Sequence, residues 1–214
     1  MFWLAFATAS PPAQHPSPYR AAQARGLQGL FQANDYPAEA VRNNQQGSVI
    51  ARLVINPAGG VESCSVIYSS KSEALDRATC HILQARTRLS PARDERDSPI
   101  YTVVITPPIT WLLMNGPGVN VRYGIVPKPD VELQISQAPS GISLPTEFSV
   151  DYEVKSDGKI GWCRSSADSK VPTVLVEVAC NQTNMPAFQA LQNRAGRPVD
   201  AVYSAKYRFV FGKP

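Results

Sequence analysis

Four cysteines carry the clearest chemistry in this 214-residue chain. Cys64 and Cys80 are 16 residues apart, and Cys163 and Cys180 are 17 apart. Thiols so placed could hold a metal, stay as buried free thiols, or oxidise to disulfides. A metal fits worst, because there is no C-x-x-C and the two histidines, His15 and His81, stand far apart in context. Of the three connectivities open to four cysteines, Cys64–Cys80 and Cys163–Cys180 is favoured, since each pair occupies equivalent points of an internal repeat. A loop of this length contributes roughly 3 kcal/mol on the chain-entropy account. That matters to a small domain whose core alone is marginal. Disulfides persist in oxidising compartments, so the chain is expected in the periplasm or outside the cell.

Catalytic spacing is otherwise missing. The sequence has no G-x-S-x-G, no phosphate-cradling glycine loop and no H-E-x-x-H. Glu73 and Asp76 suit solvated or helix-capping roles, His81 a helix flank, and Trp111, Trp162, Tyr207 and Phe209 a sheet core or edge. Neither an enzyme nor a cofactor is expected, although a convergent polar pocket would reopen the first.

The elements that position the cysteines follow from periodicity. Val49, Ala51, Leu53 and Ile55 alternate with Ser48, Ile50, Arg52 and Val54, which is strand spacing, and Asn56-Pro57-Ala58-Gly59-Gly60 ends it in a hairpin turn. The returning strand, Val61 to Tyr68, puts Cys64, Val66 and Tyr68 on one face. Leu75, Ala78, Ile82 and Leu83 then recur at helical spacing over Glu73 to Arg86, with Ser72 as N-cap. The β-branched run Ile100, Val103, Val104 and Ile105 within Pro99 to Trp111 predicts a third strand. A bond from Cys64 to Cys80 would tie this helix across its sheet.

The same order recurs further on. Gly59-Gly60-Val61-Glu62-Ser63-Cys64 lines up with Gly158-Lys159-Ile160-Gly161-Trp162-Cys163, Cys80 with Cys180, Pro91-Ala92 with Pro186-Ala187, and Pro99-Ile100 with Pro198-Val199. The second series predicts strands over Thr146 to Val154, Lys159 to Arg164 and Ala201 to Phe211. Its middle element, Thr173 to Cys180, has the β-branched bias of a strand, but Pro172 suits a first helical position and its counterpart is a helix, so a helix is expected. The fold class is therefore α+β: two tandem β-β-α-β modules, each a three-stranded antiparallel sheet with a helix on one face.

Residues 1–34 read as a signal-like segment and a proline-rich leader, 35–112 as the first module, 113–129 as a linker marked by Asn115-Gly116-Pro117-Gly118 and Pro127-Lys128-Pro129, and 130–214 as the second. The apolar run Met1 to Ala9 resembles a signal-peptide remnant with an A-x-A site, and it is shorter than the roughly 20 residues of a membrane span. No apolar stretch of that length occurs elsewhere in the sequence. A net charge of +4, from 21 basic and 17 acidic residues, is spread along the chain and does not imply nucleic acid.

Asp35-Tyr36-Pro37-Ala38-Glu39-Ala40, then Gln46-Gly47-Ser48-Val49, then Asn56-Pro57-Ala58-Gly59-Gly60-Val61, resembles the TonB C-terminal domain family, with Ser69-Ser70, Leu75-Asp76 and Pro91 falling where that family places its S-S, L-D and post-helix proline. The resemblance covers residues 35 to 111. The second series lacks the Y-P-x-x-A helix and is reached through the internal repeat. Paired cysteines are not a feature of the founding energy transducer and mark a divergent branch.

The resemblance implies a role in TonB-dependent transport, in which such a domain binds an outer-membrane receptor segment by adding it to a sheet edge. The family's last strand receives the peptide. The corresponding edge residues are Ile100, Thr102 and Val104, and Ala201, Tyr203, Ala205, Tyr207 and Phe209. Pro107 and Pro108 would cut pairing short on the first strand. The second strand is the better edge, unless it packs against the other module. Partners implied are a receptor peptide and, through edge strands, a second copy of the chain. The alternative is a structural envelope protein whose modules pack on each other and bind no peptide.

Overall fold

The structure, a computed structural model, describes residues 27–94, 96–113, 117–121, 130–166, 171–183 and 189–212. The signal-like segment, most of the proline-rich leader, Pro127-Lys128-Pro129 and Pro186-Ala187 lie outside them. Two 3-10 turns (Gln28–Leu30, Ala33–Asp35) lead to α1 (Ala38–Arg42), β1 (Gly47–Ile55), β2 (Val61–Tyr68), α2 (Glu73–Arg86), β3 (Ala92–Arg93), β4 (Pro99–Ile105), β5 (Ile109–Leu112), β6 (Gly118–Val121) and β7 (Val131–Ile135). Then follow β8 (Thr146–Val154), β9 (Ile160–Ser165), α3 (Thr173–Thr183), β10 (Leu191–Gln192), β11 (Pro198–Val199) and β12 (Ala201–Phe211).

The α+β class and the mostly antiparallel pairing hold. Among the described residues, the two three-stranded sheets expected from the sequence are joined into one ten-stranded sheet, whose central path runs β6-β5-β1-β4-β12-β8-β9. The joint is parallel pairing of β4 with β12 at Tyr101↔Ala201 and Thr102↔Val202. Two unsatisfied strand edges gain by pairing with each other rather than facing water alone.

The run from Pro99 to Trp111 is likewise two strands. Pro107 and Pro108 have no backbone donors. There the chain shifts from pairing Arg52–Ile55 through β4 to pairing Gly47–Val49 through β5.

Register shows how alike the two hairpin–helix–strand series are. Leu53 lies opposite Cys64 and Ile55 opposite Thr102; Tyr152 lies opposite Cys163 and Val154 opposite Ala201. Each second pair is the first shifted by 99 positions. In the first series, alternate residues Val49, Ala51, Leu53 and Ile55 pack under α2 with Leu75, Ile82, Leu83 and Trp111. In the second, Val150, Tyr152 and Val154 pack with Leu175 and Ala179 of α3 and with Ala205, Tyr207 and Phe209 of β12.

These cores lie on opposite faces of the sheet. Directly paired residues project to the same side, and side chains alternate along a strand. Thr102, opposite Ile55, is on the α2 side, so its partner Val202 is too; Ala201, opposite Val154, is therefore on the α3 side.

Close approaches fix the first series. A Cβ on Gly47 would sit 2.7 Å from the Ser70 carbonyl oxygen, and one on Gly59, at φ +81°, would sit 2.1 Å from that of Leu89. Asp76 organises the start of α2 by accepting from Ser69 Oγ, Ser70 N–H and Ser70 Oγ at 2.6 to 2.9 Å. Ser72 Oγ accepts from Leu75 N–H as the expected N-cap.

Candidate binding edge

Both disulfides fall as the spacing predicted, Cys64–Cys80 and Cys163–Cys180, with Cα separations of 5.6 and 5.7 Å. Each ties the returning strand of a hairpin to the helix that covers it. Among the described residues no group of three or more His, Cys, Asp or Glu side chains could gather a metal ion. His81 lines an open groove of about 570 Å³ with Arg77, Arg86 and Asp35. There Arg86 donates to both Asp35 carboxylate oxygens, and these hydrogen bonds hold that carboxyl below its ordinary value of 3.8.

The edge residues named from sequence fall in two settings. Ala201, Tyr203, Ala205, Tyr207 and Phe209 all pair with β8 on one side of β12. On its other side β12 meets β4 at Ala201 and Val202, Asp130 at Lys206, and β7 from Tyr207 to Phe211. Asp130 N–H donates to the Lys206 carbonyl, and its carboxylate accepts the Lys206 N–H at 2.7 Å. The second strand is thus paired on both sides over most of its length, and Tyr203 to Ala205 pair with β8 alone.

On β4, hydrogen-bond alternation corrects which residues face outward. Thr106 N–H donates to the Ala51 carbonyl, so residues 104 and 102, in step with 106, aim their peptide groups at β1. Thr102 and Val104 therefore face inward. Ile100 is taken by Ala92 of β3. The residues whose peptide groups face away from β1 are Tyr101, Val103 and Ile105, one position out of step with those expected. Only the hydrogen-bond phase, which the side-chain pattern does not encode, separates the two sets.

Tyr101 meets β12. Beyond Thr102 the two strands share no further paired position, leaving a fork at Val103–Ile105. Val103 is buried, whereas Ile105 is 40% exposed. Arg52, opposite Ile105, has its guanidinium 5.9 Å from the Tyr203 ring centre. Burial pushes the Tyr203 phenol above its ordinary value against the opposing pull of Arg52, and it likewise raises Tyr101, whose hydroxyl donates to Glu62 Oε2 at 3.2 Å. Both phenols are neutral at physiological pH. At this edge, outward-facing backbone donors and acceptors lie beside the Tyr203 ring, the Arg52 guanidinium and the half-exposed Ile105 side chain.

Among the described residues no helix is long and apolar enough to cross a membrane. Neither a curated protein nor a solved structure matches the chain. The family comparison does: residues 32–113 match the Gram-negative bacterial TonB protein C-terminal family. That span takes in α1, the β1–β2 hairpin, α2, β4 and β5, the elements that carry the Y-P-x-x-A, glycine-turn and S-S series. Residues 32–113 are therefore a TonB C-terminal domain.

Proposed function

We propose that this protein is a non-enzymatic, TonB-like component of TonB-dependent transport in the Gram-negative envelope, recognising an extended outer-membrane receptor segment by β-strand addition. The observation that carries the reading is the TonB C-terminal match over residues 32–113 on a β2-β1-β4 sheet whose last strand turns the peptide groups of Val103 and Ile105 outward. Main-chain hydrogen bonds supply affinity in such pairing, and side-chain pockets supply selectivity. Two disulfides suit the periplasm. Residues 130–214 read as a second, divergent copy, on the strength of the 99-residue shift in register.

The test is titration of the full chain with labelled N-terminal peptides of outer-membrane receptors. Saturable binding is expected. Ile105→Pro removes an outward donor without touching the bonds to β1, and should weaken binding about tenfold or more. No binding by any peptide at high concentration would remove this reading.

The pairing of β4 with β12 favours a second one: a structural envelope protein whose halves pack on each other and recruit no peptide. It predicts that neither the wild type nor a variant with the joint loosened binds.

A further inference from the structure

The segment most consequential for the proposed edge is supplied by the chain itself. β12 lies alongside β4 with two paired positions, against nine with β8 and five with β7. It is anchored elsewhere, and its contact with β4 can be lost while its own core stays intact.

Apart from the Arg52 guanidinium beside the Tyr203 ring, what seals the joint is small. Val202 and Ala92 are buried there, with Ile100 and Trp162 packed on them. On the exposed rim, Arg194 donates its N–H to Glu62 Oε1 at 2.6 Å and a guanidinium N–H to the Glu62 carbonyl at 3.2 Å. None of these side chains belongs to either large core.

The fork beyond Thr102 adds direction. β7 and Asp130 hold the later part of β12, and the outward peptide groups of Val103 and Ile105 have no paired position on β12. A strand entering from the β4 end can start pairing there and then replace β12 at Tyr101 and Thr102.

We propose that β12 is an internal stand-in for the incoming strand: its pairing at Tyr101 and Thr102 keeps the receiving edge shut until a competing strand displaces it. The inference rests on β4 being the receiving edge. A protein whose competent state is a minority binds more weakly by that fraction, so opening the joint tightens binding without altering any contact to the peptide.

The probe is a labelled peptide copying residues 199–206, titrated against the oxidised full chain. Trp162→Ala removes part of the seal; it should raise affinity about tenfold and speed amide exchange at Tyr101 to Ile105. Tyr101→Cys/Ala201→Cys, with a third disulfide verified by mass, should lower affinity by a similar factor. If circular dichroism shows Trp162→Ala to be unfolded, Glu62→Ala, which removes the acceptor of the Arg194 backbone N–H at the rim, replaces it with the same expectation. Equal affinity in loosened, stapled and wild-type proteins would overturn the occlusion and leave strand addition standing. No binding to any of them, with receptor peptides also failing, would overturn both.

Discussion

Trp111 shows how much one side chain can decide. It is fully buried, meets Phe31 and Tyr36 edge-to-face at 5.9 and 5.2 Å, and donates its indole N–H to Thr79 Oγ1 at 2.9 Å. Trp111→Ala should cost about 3–5 kcal/mol in urea unfolding, and a loss below 1 would contradict this account of the core. Asp151 tests electrostatics. It is 1% exposed and accepts from Ser166 Oγ at 2.8 Å, yet burial pushes its carboxyl above 3.8 against the pull of Ser166, Ser204 and Arg164. A raised carboxyl binds its proton more tightly folded than unfolded, so stability falls as pH rises above 3.8. Asp151→Asn should therefore melt higher than wild type near pH 7 and lose that advantage near pH 3; an equal gain at both would refute the assignment. The cysteine pairs were legible in the sequence because covalent partners must recur at fixed points of a repeat. The buried role of Asp151 was not, since nothing local marks a carboxylate for burial beside a distant serine.

At the scale of elements, each disulfide spans a hairpin strand and a helix. Replacing Cys64 and Cys80 together with serine should cost roughly 3 kcal/mol, as should replacing Cys163 and Cys180, read from chemical denaturation. Asp76→Ala should cost on the order of 2 kcal/mol, because Ser69 and Ser70 lose their common acceptor beside α2. Hairpins and α2 were readable from alternation and from apolar positions three and four apart. α3 was readable from its counterpart, despite a strand-like Val174, Val176 and Val178. β7 went unpredicted: Val131 to Ile135 is short and has no counterpart in the first series, and it exists as a strand because β12 supplies its pairing. Tertiary context outweighs propensity in such segments.

For the whole molecule, two cores on opposite faces meet at a narrow joint. Calorimetry should resolve two transitions, with Leu53→Ala lowering one and Phe209→Ala the other, each by about 2–5 kcal/mol. A single transition shifted equally by both would mean that the joint couples the cores fully. The joint itself was hidden from the sequence, where each third strand reads as an edge and nothing states which edge meets which.

That joint is a contact between like strands, of the kind two separate subunits make across a symmetry axis, here enclosed within one polypeptide. A dimer formed this way would come apart on dilution. A tethered pair does not, because each strand meets the other at an effective concentration set by the connecting chain, of millimolar order for short flexible connections. Under the proposed occlusion, any strand that captures β4 competes against a rival whose local concentration no expression level can change, so a change at the joint alters affinity as directly as a change in the peptide.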